Sequence, residues 1–202
     1  MSDGTEPAFS IRPARCGDAR AVYALIRANA DALLVRSLSN VLERVDRFLV
    51  AEAEDGAVVG AVCYGLWPEI GDELRTSAEL QSVCVDAAWR RRGVGRALVE
   101  AQIARLRALH VGQIVVLTYA TAFFAGLGFR EIDKHEIMYK LYTGCMNCPK
   151  HDDPFTCPER AMALWIQGGG RDRASGADAR QERLVVGVER VVHGEDVVDA
   201  AF

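Results

Sequence analysis

The chain has little that would draw it into a membrane or onto a polyanion. Its longest apolar run, Ala57 to Trp67, falls far short of the roughly 20 residues that cross a bilayer, so no membrane partner is expected. The opening segment, MSDGTEPAFS, has acidic residues and no apolar core, and no secretory signal is read there. With 24 Lys+Arg against 28 Asp+Glu the formal net charge is −4, which gives no overall pull on nucleic acid. Aromatic residues make up only 7%, yet 50% of the 202 residues are apolar and 26% charged. That balance belongs to a chain that buries a core, not to a disordered or fibrous one. Six cysteines without a secretory signal argue against a disulfide framework, and the expected setting is the cytoplasm.

What is present reads as strands with helices between them. Phe9 to Arg12 is a short strand stopped by Pro13, and Asp18 caps a helix carrying Val22, Leu25 and Ile26. Asn40 to Phe48 has a second helical pattern. In FLVAEAEDGAVVGAVCYGL the Asp55-Gly56 pair separates two β-rich runs, a strong hairpin signal. Ala78 to Asp86 is the next strand. Gly93 to His110 is helical, with Leu98, Val99, Ile103, Leu106 and Leu109 as its apolar stripe. Gln113 to Thr118 has the look of a buried strand. A short helix follows from Thr121 to Leu127, ended by Gly128, and Ile137 to Tyr142 is read as a last strand. The fold class is α/β (α+β) with a mixed sheet. From Gly168 the composition turns polar and glycine-rich, which predicts a flexible tail over 168–202.

The most informative segment is AELQSVCVDAAWRRRGVGRALVE. A strand passes through a short turn into Arg90-Arg91-Arg92-Gly93-Val94-Gly95-Arg96, where the long helix begins. Gly93 and Gly95 let backbone approach a ligand closely. The helix start adds unpaired N–H groups and the positive end of a dipole. The arginines add charge and bidentate donors. Together these describe a pyrophosphate pocket; the competing reading is a solvated basic turn. No Gly-Lys-Ser/Thr follows, which excludes a P-loop, and Leu98 stands where a dinucleotide fingerprint needs its third glycine.

Arg90-x-x-Gly93-x-Gly95 resembles the Q/R-x-x-G-x-G/A motif of the GCN5-related N-acetyltransferase (GNAT) superfamily. The resemblance extends from Phe9 to about Tyr142 and includes the FFAGLGF segment, Phe123 to Phe129. It implies a central twisted mixed sheet flanked by helices, in a domain spanning 1–143. It also implies acetyl-CoA as cofactor, with the pyrophosphate on the amides of Arg91 to Arg96. The pantetheine arm would lie on the main chain of Val83, Cys84 and Val85, the Val83 N–H polarising the thioester. Glu79 resembles the general base of several members. Four residues before Val83 in an extended strand, it should share that residue's face about 13 Å away. The alternative is a strand glutamate paired with an arginine. Phe124 stands where many members have a tyrosine acid, so the acid is unassigned.

Leu33-Leu34-Val35-Arg36-Ser37, LTYATAFFAGLGF and CMNCPK are similar to segments of stand-alone bacterial N-acetylglutamate synthases of this superfamily. The resemblance implies acetyl transfer to L-glutamate, the first step of arginine biosynthesis. Arg36 suits a carboxylate clamp, with Ser37 and Gln81 beside it, unless it is an ordinary surface residue. Val35 departs from the group's proline, and Gln81 from an arginine often found on the strand. A different acceptor (another amino acid, a small amine or a protein N-terminus) and a non-catalytic acetyl-CoA sensor are the competing readings. A homodimer is possible. Finally, Cys145, Cys148 and Cys157, with His151 as fourth ligand, have spacing like a tetrahedral zinc site. Free thiols, a labile disulfide and an iron–sulfur site are the alternatives. This segment is read as an extension, 144–167, packed on the domain.

Overall fold

Hairpin chemistry builds the first half of the sheet. β1 (Phe9–Pro13) runs antiparallel to β2 (Phe48–Ala53), which turns back as β3 (Val58–Pro68). Gly56 sits at the turn with φ 82°, a conformation that glycine takes without steric cost. The Ala57 N–H donates to Asp55 Oδ1 at 3.0 Å and closes the turn. β4 (Thr76–Val85) is antiparallel to β3, and β5 (Gln113–Thr118) is parallel to β4. The structure described here is a computed structural model, covering residues 9–68, 76–146 and 148–166, all within the unit Met1–Gly170. The tail predicted over 168–202 lies outside the described residues.

Helices cover both faces. α1 (Ala19–Ala28) buries Ala19, Val22, Leu25 and Ile26, and α2 (Leu38–Glu43) buries Val41, against Phe48, Val50, Ala61, Cys63 and Cys84. α3 (Val94–Ala108) covers the opposite face with Val94, Leu98, Val99, Ile103 and Leu106. It lies so close to β3 that a Cβ on Gly60 would meet Leu98 at 2.9 Å. Leu109, read as part of this stripe, caps the helix instead and is 49% exposed. Asp18 precedes α1, but its carboxylate serves Arg12 and the Arg15 N–H rather than the helix.

Two elements differ from the sequence expectation. The helix expected over Asn40 to Phe48 ends at Glu43; Arg44 caps it, and a 3-10 turn (Val45–Arg47) delivers Phe48, fully buried, into β2. Burial of one large ring in the sheet outweighs continuation of a marginal helix. Ile137 to Tyr142 is not a strand. Asp133 and Glu136 form a capping box that starts a 3-10 turn (Lys134–Ile137). After α4 (Thr121–Ala125) and this turn come α5 (Met138–Lys140) and a π-turn (Leu141–Cys145). Ile137 and Leu141, four apart, bury one helical face against Val115, Ala161 and Ala163.

The sheet is completed by β6 (Arg130–Glu131) and β7 (Arg160–Trp165), neither marked as a strand in the sequence pattern. β7 lies between β5 and β6, antiparallel to both, and the order is β1-β2-β3-β4-β5-β7-β6. The segment read as an extension therefore supplies an interior strand.

Candidate active site

β4 is broken by a bulge. Its register against β3 shifts between Ala61 and Cys63, and Ser82 takes φ 54°. One extra residue reverses the alternation beyond it. Ala78 and Leu80 pack in the α3 layer together with Val83 and Val85, while Cys84 packs in the α1 layer. Glu79 and Val83 thus do not share a face, contrary to the simple period-2 expectation. The Cys84 side chain is core, its thiol pushed up to about 12 by burial, so only its main chain can meet a ligand. β4 pairs with β5 only at Ser77, Ala78 and Glu79. Among the described residues, the β5-facing edge from Leu80 onward carries no strand.

The basic loop begins with Asp86, whose carboxylate accepts from the Ala88 N–H at 2.8 Å. Arg91 (φ 62°) and Gly93 (φ 83°) are left-handed, and they turn the chain into α3. The first intrahelical bond runs from the Ala97 N–H to Gly93 O at 3.0 Å, so the amides of Val94, Gly95 and Arg96 precede it and point out of the helix. A Cβ on Gly95 would only touch Phe123 and Val85 at 3.7 Å. The arginines divide. Arg90 is structural: Nη2 donates to Asn29 Oδ1 at 2.8 Å and Nε to Val85 O at 3.4 Å. Arg92 lies over the Trp89 ring at 5.3 Å. Arg96 reaches Glu100 at 3.0 Å and Gly126 O at 3.2 Å. The backbone, more than the guanidinium groups, is what this loop offers an anion.

On the other side of β4, Glu79 is 5% exposed. Its Oε1 accepts from Lys140 Nζ at 3.0 Å; its Oε2 accepts from Trp67 Nε1 at 3.0 Å and Gln81 Nε2 at 2.5 Å. Lys140 also lies over the Trp67 ring at 5.3 Å, and Tyr139 packs against the same ring. Gln81 carries the network onward, its Oε1 accepting from Arg36 Nη2 at 2.8 Å. Arg36 further donates to Ser82 Oγ at 3.0 Å and Asn40 Oδ1 at 2.9 Å. Burial pulls this guanidinium below its ordinary value, and neighbouring Arg44 pulls the same way. Ser37, beside it, accepts from the Asn40 N–H at 3.1 Å as the N-cap of α2, which leaves only its O–H for a ligand.

The sequence-predicted Glu79, Gln81 and Arg36 therefore meet in one connected network. Lys140 and Trp67 belong to it, Arg44 lies beside it, and none of the three was foreseen. Lys140 sat in a segment read as strand. Trp67 would have been visible from register, since it lies two residues beyond Gly65, the cross-strand partner of Glu79.

Cys145, Cys148, His151 and Cys157 are brought around one cavity, with Leu117, Lys134, Pro154 and Glu159. Among the described residues, however, no three such ligands are arranged to hold a metal ion, and the zinc expectation is corrected. His151 Nε2 is 3.3 Å from the Tyr119 hydroxyl, and Cys157 Sγ is 3.9 Å from Glu159 Oε2. Burial raises the Cys145 and Cys157 thiols.

Comparison with known proteins agrees with this geometry. Residues 44–131 match the acetyltransferase (GNAT) domain. An uncharacterized N-acetyltransferase of Chlorobaculum tepidum is 33% identical over 154 residues, 75% of this chain and 93% of that protein. An amino-acid acetyltransferase of Mycobacterium tuberculosis is 35% identical over 136 residues, 65% of this chain and 74% of that protein. A Mycobacterium tuberculosis structure in complex with CoA and NLQ is similar with a TM-score of 0.64 at 29% identity, covering 77% of this chain and 98% of that one. N-acetylglutamate synthase from Neisseria gonorrhoeae, complexed with coenzyme A and N-acetyl-glutamate, is similar in fold. Its TM-score is 0.62 at 22% identity, covering 78% of this chain and 35% of that one.

Proposed function

The chain belongs to the GNAT acetyltransferase family and is an N-acetyltransferase that draws on acetyl-CoA; from that premise we propose that its acceptor is the α-amino group of L-glutamate. The observation that carries this is Arg36, a part-buried guanidinium whose three hydrogen bonds all go to neutral oxygens. A part-buried cation with no carboxylate bonded to it among the described residues is poised for an anion, and Arg matches a carboxylate in shape as well as charge. It stands one amide away from Glu79, so an amino acid held there by a carboxylate carries its amine toward that carboxylate.

The donor fits the residues present. An open strand edge beyond Glu79 suits an extended amide-bearing arm, and the left-handed entry at Gly93 aims the first amides of α3 at a phosphate. The main chain of Val83 to Val85 would hold the arm, and the amides of Arg91 to Arg96 the pyrophosphate. Bound acetyl-CoA supplies an activated thioester carbonyl. Glu79 would take the proton of the amine as the C–N bond forms and the C–S bond breaks, CoA leaving as its thiolate. A carboxylate offers about four acceptor directions; with three donors bound to it, Oε1 keeps a direction for a water or the amine. Lys140 and Trp67 fix the carboxylate in place. On this reading the product enters arginine biosynthesis, in the cytoplasm, and the acetyltransferase domain runs through β7 rather than ending at 143.

The test is CoA release by the purified chain with acetyl-CoA and a panel of free amino acids. Saturable turnover with glutamate, well above that with neutral amino acids, is expected. Turnover confined to peptides or other amines would overturn the acceptor; CoA binding without turnover on any acceptor would favour a sensor.

A further inference from the structure

The early end of α2 has a consequence at the other side of the acceptor pocket. Arg44 caps the helix with φ −121° and ψ 17°, so its side chain leaves the helix and crosses to β3. Nη2 donates to Tyr64 O at 3.2 Å. The same nitrogen lies 3.1 Å from where a Cβ of Gly65 would stand, and Gln81 Nε2 lies at the same distance from that point. Glycine at 65 thus lets Arg44 and the Gln81 amide share one space over the strand. On the far side of that amide is Arg36.

Two guanidinium groups therefore flank Gln81, and each tells the same story of charge. Among the described residues, Arg36 bonds Ser82, Asn40 and Gln81 alone, and Arg44 bonds a backbone carbonyl alone. The single carboxylate of the network, Glu79, is already matched by Lys140 at 3.0 Å. Among the described residues no acidic side chain is paired with either arginine. Holding two like charges near each other costs energy in the free protein: burial and then Arg44 lower the Arg36 guanidinium, and Glu79 offsets part of this from beyond Gln81. An amino acid with two carboxylates and a neutral, nucleophilic amine carries the two negative charges that this pair lacks.

We propose that Arg44 is a specificity-determining residue: with Arg36 it forms a two-cation clamp for a dicarboxylate amino acid, Arg44 taking the second carboxylate. This rests on the reading of Arg36 as an acceptor anchor and adds the residue that would hold the acceptor's second carboxylate.

The experiment uses the full chain with saturating acetyl-CoA and four acceptors: glutamate, aspartate, 2-aminoadipate and glutamine, the last isosteric with glutamate but lacking the second charge. For Arg44→Gln, kcat/KM for glutamate should fall about 10- to 100-fold, the range for a lost hydrogen bond to a charged group, while the value for glutamine stays within about 2-fold. Arg44→Lys should keep most of the preference for glutamate over glutamine. Equal losses on both acceptors would mean that Arg44 only supports Tyr64, and the clamp would be overturned; so would an unchanged ratio. If the native chain prefers aspartate or 2-aminoadipate and Arg44→Gln abolishes that preference, the clamp stands and glutamate as acceptor falls. If the native chain prefers glutamine or other neutral acceptors, both fall together.

Discussion

From Thr76 to Gln81, β4 pairs with β3 and, at its start, with β5, and it presents Glu79 and Gln81 to the bonding groups of Trp67, Lys140 and Arg36. Beyond Ser82, Val83 to Val85 carry a thiol and two valines, and among the described residues no strand lies on the β5-facing edge from Leu80 onward. The first stretch can recognise a ligand only through charged and amide side chains, the second only through main-chain groups. Ser82, with its positive φ, is the residue at which one mode gives way to the other. The lesson is that the two stretches should fail differently. Substitutions in the first should change which acceptor is used and how fast; substitutions in the second should act only by moving backbone.

The largest expected effect breaks the first stretch. Glu79→Gln should lower kcat by about 10²- to 10⁴-fold, the usual worth of a positioned base, with KM for acetyl-CoA little changed. It should also destabilise the fold by about 3–5 kcal/mol, because Lys140 would be left buried without its partner. The double variant with Lys140→Met separates the two causes. Thermal melts and steady-state kinetics should find stability largely recovered and turnover still lost. Turnover returning with stability would reduce Glu79 to a structural half of an ion pair.

These two stretches were also unequally legible. The backbone mode announces itself in sequence, because glycines after a strand and before an amphipathic helix mark such a loop, and the structure gives Gly93 a φ of 83°. The arginines misled in part: Arg90 looked like a phosphate ligand and instead ties the loop to Asn29. The side-chain mode was half visible. Glu79, Gln81 and Arg36 were singled out, but their mutual bonding depends on separations of 45 residues or so along the chain, as between Arg36 and Gln81. Lys140 was hidden because Ile137 and Leu141, four apart, share one face in a strand and in a helix alike, so their spacing does not tell the two apart. β7 was missed for a related reason. Ala161 to Ile166 is a continuous apolar run, and a short run of that kind does not separate a strand from a helix by periodicity, least of all with two alanines in it.

A middling effect tests the second stretch and its loop. A Cβ on Gly93 would meet nothing within 4 Å, so Gly93→Ala changes no packing and acts through backbone alone. Holding an L-residue at a left-handed φ costs roughly 1–2 kcal/mol. That predicts about a 5- to 30-fold rise in KM for acetyl-CoA, or an equivalent loss of stability, with the acceptor KM unchanged. Isothermal titration with CoA and a denaturation curve would divide the cost. A rise in acceptor KM instead would mean that the two stretches are not independent.

The smallest effect falls on the boundary itself. Ser82 holds φ 54° and accepts a hydrogen bond from Arg36 at 3.0 Å. Ser82→Gly removes the left-handed penalty of about 1–2 kcal/mol and also removes an acceptor for a charged donor, worth about 1.5–3 kcal/mol. The two terms oppose, so the melting temperature should move little. The kinetic consequence does not cancel in the same way. With a freer Arg36 the acceptor KM should rise a few-fold, while a bulge that glycine adopts more readily leaves the β4 edge, and KM for acetyl-CoA, as they were. Equal shifts in both KM values would show that Ser82 couples the two stretches instead of separating them.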